Sequence, residues 1–137
     1  MFQKESVGRG AAFGDVDNDG DTDVVIANDN GPAELLLNQI GTRRHWVGVR
    51  AIGTEKGRDM VGARVQIVRA DGTTIWRRAR SDASYASAND PRVLVGLGGA
   101  NTPVRVRVTW PDGTTEEWAD VAVDKYATIR RGTGNAK

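Results

Sequence analysis

Residues 15–23 read Asp-Val-Asp-Asn-Asp-Gly-Asp-Thr-Asp, with a carboxylate at every second position and Gly20 among them. So many like charges in so short a stretch repel one another, and ordinary folding gains nothing from that. A hard divalent cation does benefit. Ca²⁺ takes roughly six to eight oxygens at about 2.3–2.6 Å, and the spacing D-x-D-x-D-G-x-x-D supplies them. Asp15, Asp17 and Asp19 read as side-chain ligands, Asp21 as a backbone-carbonyl ligand and Asp23 as the closing carboxylate. Gly20 permits the sharp turn, because glycine takes positive φ at little cost.

Other readings of this stretch fit less well. A solvated or disordered acidic run rarely keeps strict alternation between apolar flanks, here Ala11-Ala12-Phe13 and Val24-Val25-Ile26-Ala27. An EF-hand needs a bidentate Glu at the twelfth loop position, and that position holds Ile26. Mg²⁺ prefers to keep waters and takes few carboxylates.

The chain of 137 residues suits one domain, or one domain plus a fragment. It has no Cys, which excludes disulfides, thiolate zinc sites and cysteine nucleophiles. No apolar run of about 18 residues is present, so membrane insertion is not expected. MFQKESVGRG lacks the apolar centre of a signal peptide, so the sequence reads as a mature chain or as a piece of a longer one. The net charge of +1 hides a split. Up to position 41 there are two basic and eight acidic residues, about −6; beyond it there are seventeen basic and ten acidic, about +7. Most of the later arginines alternate with valine (Arg105-Val106-Arg107-Val108), the mark of an exposed sheet face. No nucleic-acid module signature accompanies them, and no nucleic-acid partner is expected.

Strand signals recur at short spacing with turn residues between them, which predicts an all-β fold. Expected strands are 10–14, 24–28, 34–39, 46–52, 63–69, 74–80, 92–96, 104–110, 115–118 and 127–130. Asp29-Asn30-Gly31-Pro32 reads as a turn. The composition switches at 40–44, giving an acidic segment 1–41 and a sandwich domain 42–137. Two alternating stretches, 64–68 and 105–109, each run into Asp-Gly-Thr-Thr and then a strand carrying Trp76 or Trp118. Asp-Gly favours a type I′ hairpin turn, and two such hairpins suit an antiparallel β-sandwich.

Residues 10–39, with Phe13-Gly14-Asp15, the Asp loop and the apolar strand after it, resemble one FG-GAP (VCBS-type) repeat. From about His45 onward the chain is similar to the ASPIC/UnbV domain. The stretches HWVGVRAIG, GRDMVGARVQIV, RSDASYASANDPRVLVGLGG and VRVTWPDGTTEEW carry that likeness. The first resemblance implies a three-stranded blade of a β-propeller with Ca²⁺ in its loop. The second implies a secreted, periplasmic or cell-surface protein tied to adhesion or Ca²⁺ binding, with no catalytic residues to carry over. A propeller needs about four blades or more, and only one repeat is present. The sequence therefore reads as the C-terminal end of something longer.

The residues give little support to an enzyme. His45 is the only histidine, and Ser81, Ser84 and Ser87 lack the setting of a nucleophile elbow. Gly96-Leu97-Gly98-Gly99 lacks the lysine and helix of a P-loop and reads as a turn. The expectation is a non-enzymatic, extracellular, Ca²⁺-binding interaction or adhesion module. Two alternatives are a carbohydrate-binding module attached to an upstream propeller and a structural cap of that propeller. The candidate ligand-binding loop is 84–90, with Tyr85, Ser87, Asn89 and Asp90, because loops at sandwich ends commonly bind. A protein or carbohydrate partner at the cell surface is expected, with the chain a monomer or weak homodimer. About two of the four Trp should be buried. Residues 1–41 should add strands to the sandwich or pair with a second chain, since Phe13, Val25, Ile26, Leu35, Leu36 and Leu37 would otherwise meet water.

Overall fold

Alternation of apolar and charged residues decides which side of each strand faces inward. Val104, Val106 and Val108 are buried while Arg105 between them is exposed, as a strand period of two requires. The structure is a computed structural model and describes residues 6–137. Its strands are β1 (Gly8–Gly14), β2 (Asp23–Asn28), β3 (Glu34–Leu36), β4 (His45–Ile52), β5 (Arg64–Val68), β6 (Thr74–Arg78), β7 (Val93–Gly98), β8 (Val104–Thr109), β9 (Thr115–Val121), β10 (Tyr126–Arg130) and β11 (Asn135–Ala136), with a 3₁₀ turn at Gly41–Arg43. The fold is all-β, as expected.

Three sheets form, ordered β1-β2-β3, β10-β4-β7 and β11-β9-β8-β5-β6. The second and third face each other as a sandwich. Val47 and Val49 of β4, Val93, Val95 and Leu97 of β7, and Ile129 of β10 meet Val65 and Ile67 of β5 and the valines of β8. Trp110 closes one end, 2 % exposed. Trp46 is also buried, Trp118 packs edge-on against Trp110 at 6.3 Å, and Trp76 stands in solvent. The sandwich departs from a purely antiparallel arrangement in one pair, because β10 runs parallel to β4. That chain reversal needs a long crossover, and strands β5 to β9 supply it.

Both Asp-Gly hairpins are real, but their turns are not type I′. That type needs positive φ at both central residues. Here only the glycines have it, Gly72 at 81° and Gly113 at 90°. Gly72 N–H donates to the Arg69 carbonyl at 3.0 Å and Arg69 N–H to the Thr73 carbonyl at 2.9 Å. Gly113 and Trp110 repeat the pattern at 2.8 Å each. These are three-residue loops built on a type I turn with a glycine bulge. Asp71 and Asp112 act from the side: each accepts from the backbone N–H and hydroxyl of the Thr two residues on. The same bonds hold both carboxyls below the usual carboxylate range.

The acidic segment does not extend a sandwich sheet. It forms its own antiparallel sheet, with Phe13 opposite Val24 and Val25 opposite Leu35, and docks through loops on the lower end of the sandwich. Phe13, Val25, Leu35 and Leu37 remain 37–50 % exposed on this small sheet. The small sheet meets the sandwich through the turns around residues 15–21 and 85–92 rather than by pairing with an edge strand.

Candidate metal centre

The Asp loop joins two strands, β1 and β2, and Ile26 lies within β2. No helix flanks it, so the EF-hand frame is absent. The left-handed residues Asn18 (φ 61°) and Gly20 (φ 94°) fold the loop back on itself. A Cβ at Gly20 would run into the Trp46 indole, so this glycine is needed both for its φ and for close approach.

One carboxylate oxygen each from Asp15, Asp17 and Asp19 lies within 4.8 Å of the others. Among the described residues this is the one such group of three or more. Asp15 is 3 % exposed. Its Oδ1 accepts from Asp19 N–H at 3.0 Å, and its Oδ2 from Gly20 N–H at 3.0 Å and from the Tyr126 hydroxyl at 2.9 Å. A carboxylate oxygen has two lone-pair sites. Oδ2 is therefore filled, and Oδ1 keeps one site for a cation. Asp19 Oδ1 accepts from Asp21 N–H at 2.9 Å. The Asp17 carboxyl, though exposed, is held above its ordinary value first by partial loss of hydration in the loop, and then by the negative charges of Asp19 and Asp23. The donors are all hard oxygens that crowd one another, a set that fits Ca²⁺.

The side chains of Asp21 and Asp23 lie outside this group. Asp21 Oδ2 accepts from Gly41 N–H at 2.7 Å, which ties the loop to the 3₁₀ turn. Asp23, 1 % exposed, accepts from Val16 N–H and Asn38 N–H, both at 2.8 Å. Its side chain braces the loop from inside while its charge still acts on Asp17.

Residues far along the chain complete the surroundings. Arg92 Nη2 donates to the Asp15 carbonyl at 2.7 Å, and Nη1 to Asn18 Oδ1 at 2.5 Å. Its guanidinium lies 4.1 Å from the Tyr126 ring centroid, and its Nε donates to Asp90 Oδ2 at 2.6 Å. Tyr126 in turn packs against Trp46 at 5.2 Å between centroids. Burial, and then the bond to Asp15, push the Tyr126 hydroxyl well above its ordinary value, so it stays a donor. Nothing in the spacing places residue 92 or 126 beside residue 15, and sequence reasoning missed both.

The 84–90 loop lies at this seam. Asn89 Oδ1 accepts from Phe13 N–H at 2.9 Å, and Asp90 N–H donates to the Phe13 carbonyl at 3.0 Å. Ser87 Oγ bonds back to the Tyr85 carbonyl at 3.0 Å beside Gly10. Of the four predicted loop residues only Tyr85 is largely exposed, and Arg9 covers its ring at 5.2 Å. His45, the lone histidine, bonds Asp124 at 2.7 Å. Asp124 also accepts from Trp46 N–H, and together these bonds anchor the start of β4.

Among the described residues, no helix is long and apolar enough to cross a membrane. Comparison with curated proteins finds no match. Comparison with family profiles matches residues 7–41 to the FG-GAP repeat and residues 53–136 to ASPIC and UnbV. FG-GAP repeats are typical of extracellular and cell-surface proteins. The second match covers more than half of the chain and begins just past β4, whose packing makes it part of the same sandwich. The chain thus belongs to the ASPIC and UnbV family, with an FG-GAP repeat preceding that domain.

Proposed function

We propose that the chain is a Ca²⁺-binding, non-enzymatic module that serves interaction or adhesion outside the cell. The observation that carries this reading is the meeting of Asp15, Asp17 and Asp19 in one group of hard oxygen donors. Asp15 Oδ1, Asp17 and Asp19 would hold the ion, and Asp23 would add charge from behind. When bound, Ca²⁺ supplies neutralisation of the loop and a rigid frame for its turn.

The test is thermal melting with Ca²⁺ and with EGTA. A ligand that binds only the folded state adds about 2.7 kcal/mol at a hundredfold excess over Kd. A clear upward shift with Ca²⁺, lost in Asp19→Ala, is expected. An unchanged melting point in the wild type would overturn the reading.

A second reading treats the piece as the cap of a propeller. It draws on the exposed apolar residues Val25, Leu35 and Leu37 of the small sheet, which a neighbouring blade would cover. Burial of two Trp, and the absence of a coplanar exposed row among the described residues, favour this cap over a flat platform for a neutral polysaccharide.

A further inference from the structure

Strand β6 is an edge of the five-stranded sheet, and it carries more positive charge than its surroundings neutralise. Trp76 is 66 % exposed. It stands on the outer face with Arg78, two residues on. Gln66 is directly opposite Trp76, and Arg64 directly opposite Arg78. Like charges placed directly across a strand pair destabilise it. Among the described residues, no carboxylate lies within ion-pair distance of Arg64, Arg77 or Arg78. The neighbouring arginines of β8 differ, because Glu117 holds both Arg105 and Arg107. A shallow depression of about 660 Å³ runs along this edge between Thr74 and Arg80, with Asp82 at its rim, 3.8 Å from Arg80.

We propose that the outer face beside the β6 edge binds an acidic polysaccharide, one sugar ring stacked on Trp76 and the carboxylates of the chain held by Arg64 and Arg78. The proposal names a partner for the interaction module above and rests on that reading of the chain. An indole presents a flat apolar face with an electron-rich surface. Guanidinium groups match carboxylates in a bidentate fork. Crowded cations without counterions are relieved when an anion arrives, as the Asp loop is relieved by a cation. A single-stranded nucleic acid fits this face less well: its successive bases need successive stacking rings, and Trp110 and Trp118 are turned into each other instead. An acidic peptide adding as a strand is also disfavoured. The Arg77 guanidinium already donates to the Trp76 carbonyl at 2.9 Å, and charged side chains blunt an edge.

The test titrates the full chain with a short oligogalacturonate, its fully methyl-esterified form and a single-stranded DNA of matched charge, following tryptophan fluorescence and heat. The acidic sugar should bind and the ester should not. Trp76→Ala should weaken binding by about tenfold, the size of one lost stack, and Arg78→Glu by more. Both variants should keep the wild-type Ca²⁺ response, which separates this inference from the metal reading. Trp76→Ala should keep the wild-type melting point, and Arg78→Glu, now opposite Arg64, should melt at or above it. Three results would overturn it: no binding of the acidic sugar, equal binding of the ester, or binding of DNA and sugar alike that ignores Trp76→Ala.

Discussion

The Tyr126 hydroxyl donates to Asp15 Oδ2 at 2.9 Å across 111 positions of sequence. The ASPIC and UnbV domain thus reaches into the loop of the FG-GAP repeat and fixes its first carboxylate. With Oδ2 filled from outside, Asp15 can offer a cation only Oδ1. Groups behind the direct ligands commonly change metal affinity by about 10–100-fold. Tyr126→Phe should therefore weaken Ca²⁺ binding by about tenfold or more. It should also lower stability without Ca²⁺ by about 1.5–3 kcal/mol, the usual worth of a hydrogen bond to a charged group. Calorimetric titration and urea unfolding in EGTA measure the two effects separately.

Asp17→Asn should change sign with the metal. The Asp17 carboxyl is raised because partial loss of hydration and the charges of Asp19 and Asp23 disfavour its ionised form. Without Ca²⁺ the neutral amide removes that repulsion, and the variant should melt at or above the wild type. With Ca²⁺ it has lost an anionic donor and should melt below it. Melting curves in both conditions decide the matter, and a variant that melts below the wild type in EGTA would show that repulsion in the empty loop is negligible.

Gly20→Ala should be costly at the seam. A left-handed φ costs a non-glycine residue about 1–2 kcal/mol, and here the methyl also meets the Trp46 ring. The loop must shift away from the sandwich to accommodate it. Faster cleavage within residues 15–23 by a protease that cuts before aspartate, together with a changed near-UV signal from Trp46, is the expected outcome.

Acid should loosen the hairpins. Asp71 and Asp112 are lowered chiefly by bonds from Thr73 and Thr114, and Glu117 chiefly by a bond from Arg107. A carboxyl with a lowered folded pKa adds stability that is complete above its unfolded value, about pH 4. That stability is lost as pH falls through the folded value. Unfolding free energy should therefore drop below about pH 4, and Asp112→Asn should flatten part of that drop. Urea titrations from neutral pH downward would show it.

Residues 42–137 should fold alone and without Ca²⁺. Every residue of the buried apolar cluster falls between Val47 and Ile129. Amide dispersion of this fragment should match the corresponding signals of the whole chain, with changes confined to the seam at Trp46, residues 84–92 and Tyr126. Aggregation of the fragment would show instead that the small sheet is needed for the core.

Local chemistry was legible in the sequence, and long-range pairing was not. Alternation in 104–109 and the Asp-Gly pairs located β8 and both hairpins, because those signals act over a few residues. The turn type was misread: Pro111 and Ala70 lengthen the loops to three residues, and a dipeptide rule does not register that. The parallel pairing of β10 with β4 leaves no trace in either strand. β11 is two residues long, too short for any period. The loop 84–90 looked like a free polar surface because its hydrogen-bonding groups were visible and their partner, the Phe13 backbone, was not.

The parallel register of β4 and β10 has a mechanical side. Tyr126 lies beside Gly48 and Arg130 beside Ile52. The small sheet pulls on β4 from its beginning, and anything attached beyond Lys137 pulls on β10 from its end. Those two points sit at opposite ends of the pair, so tension along the chain slides the strands past each other. Their ladder bonds then stretch together rather than opening one by one. A module strung between a surface and a partner would thus carry load in shear, the direction in which two paired strands yield last.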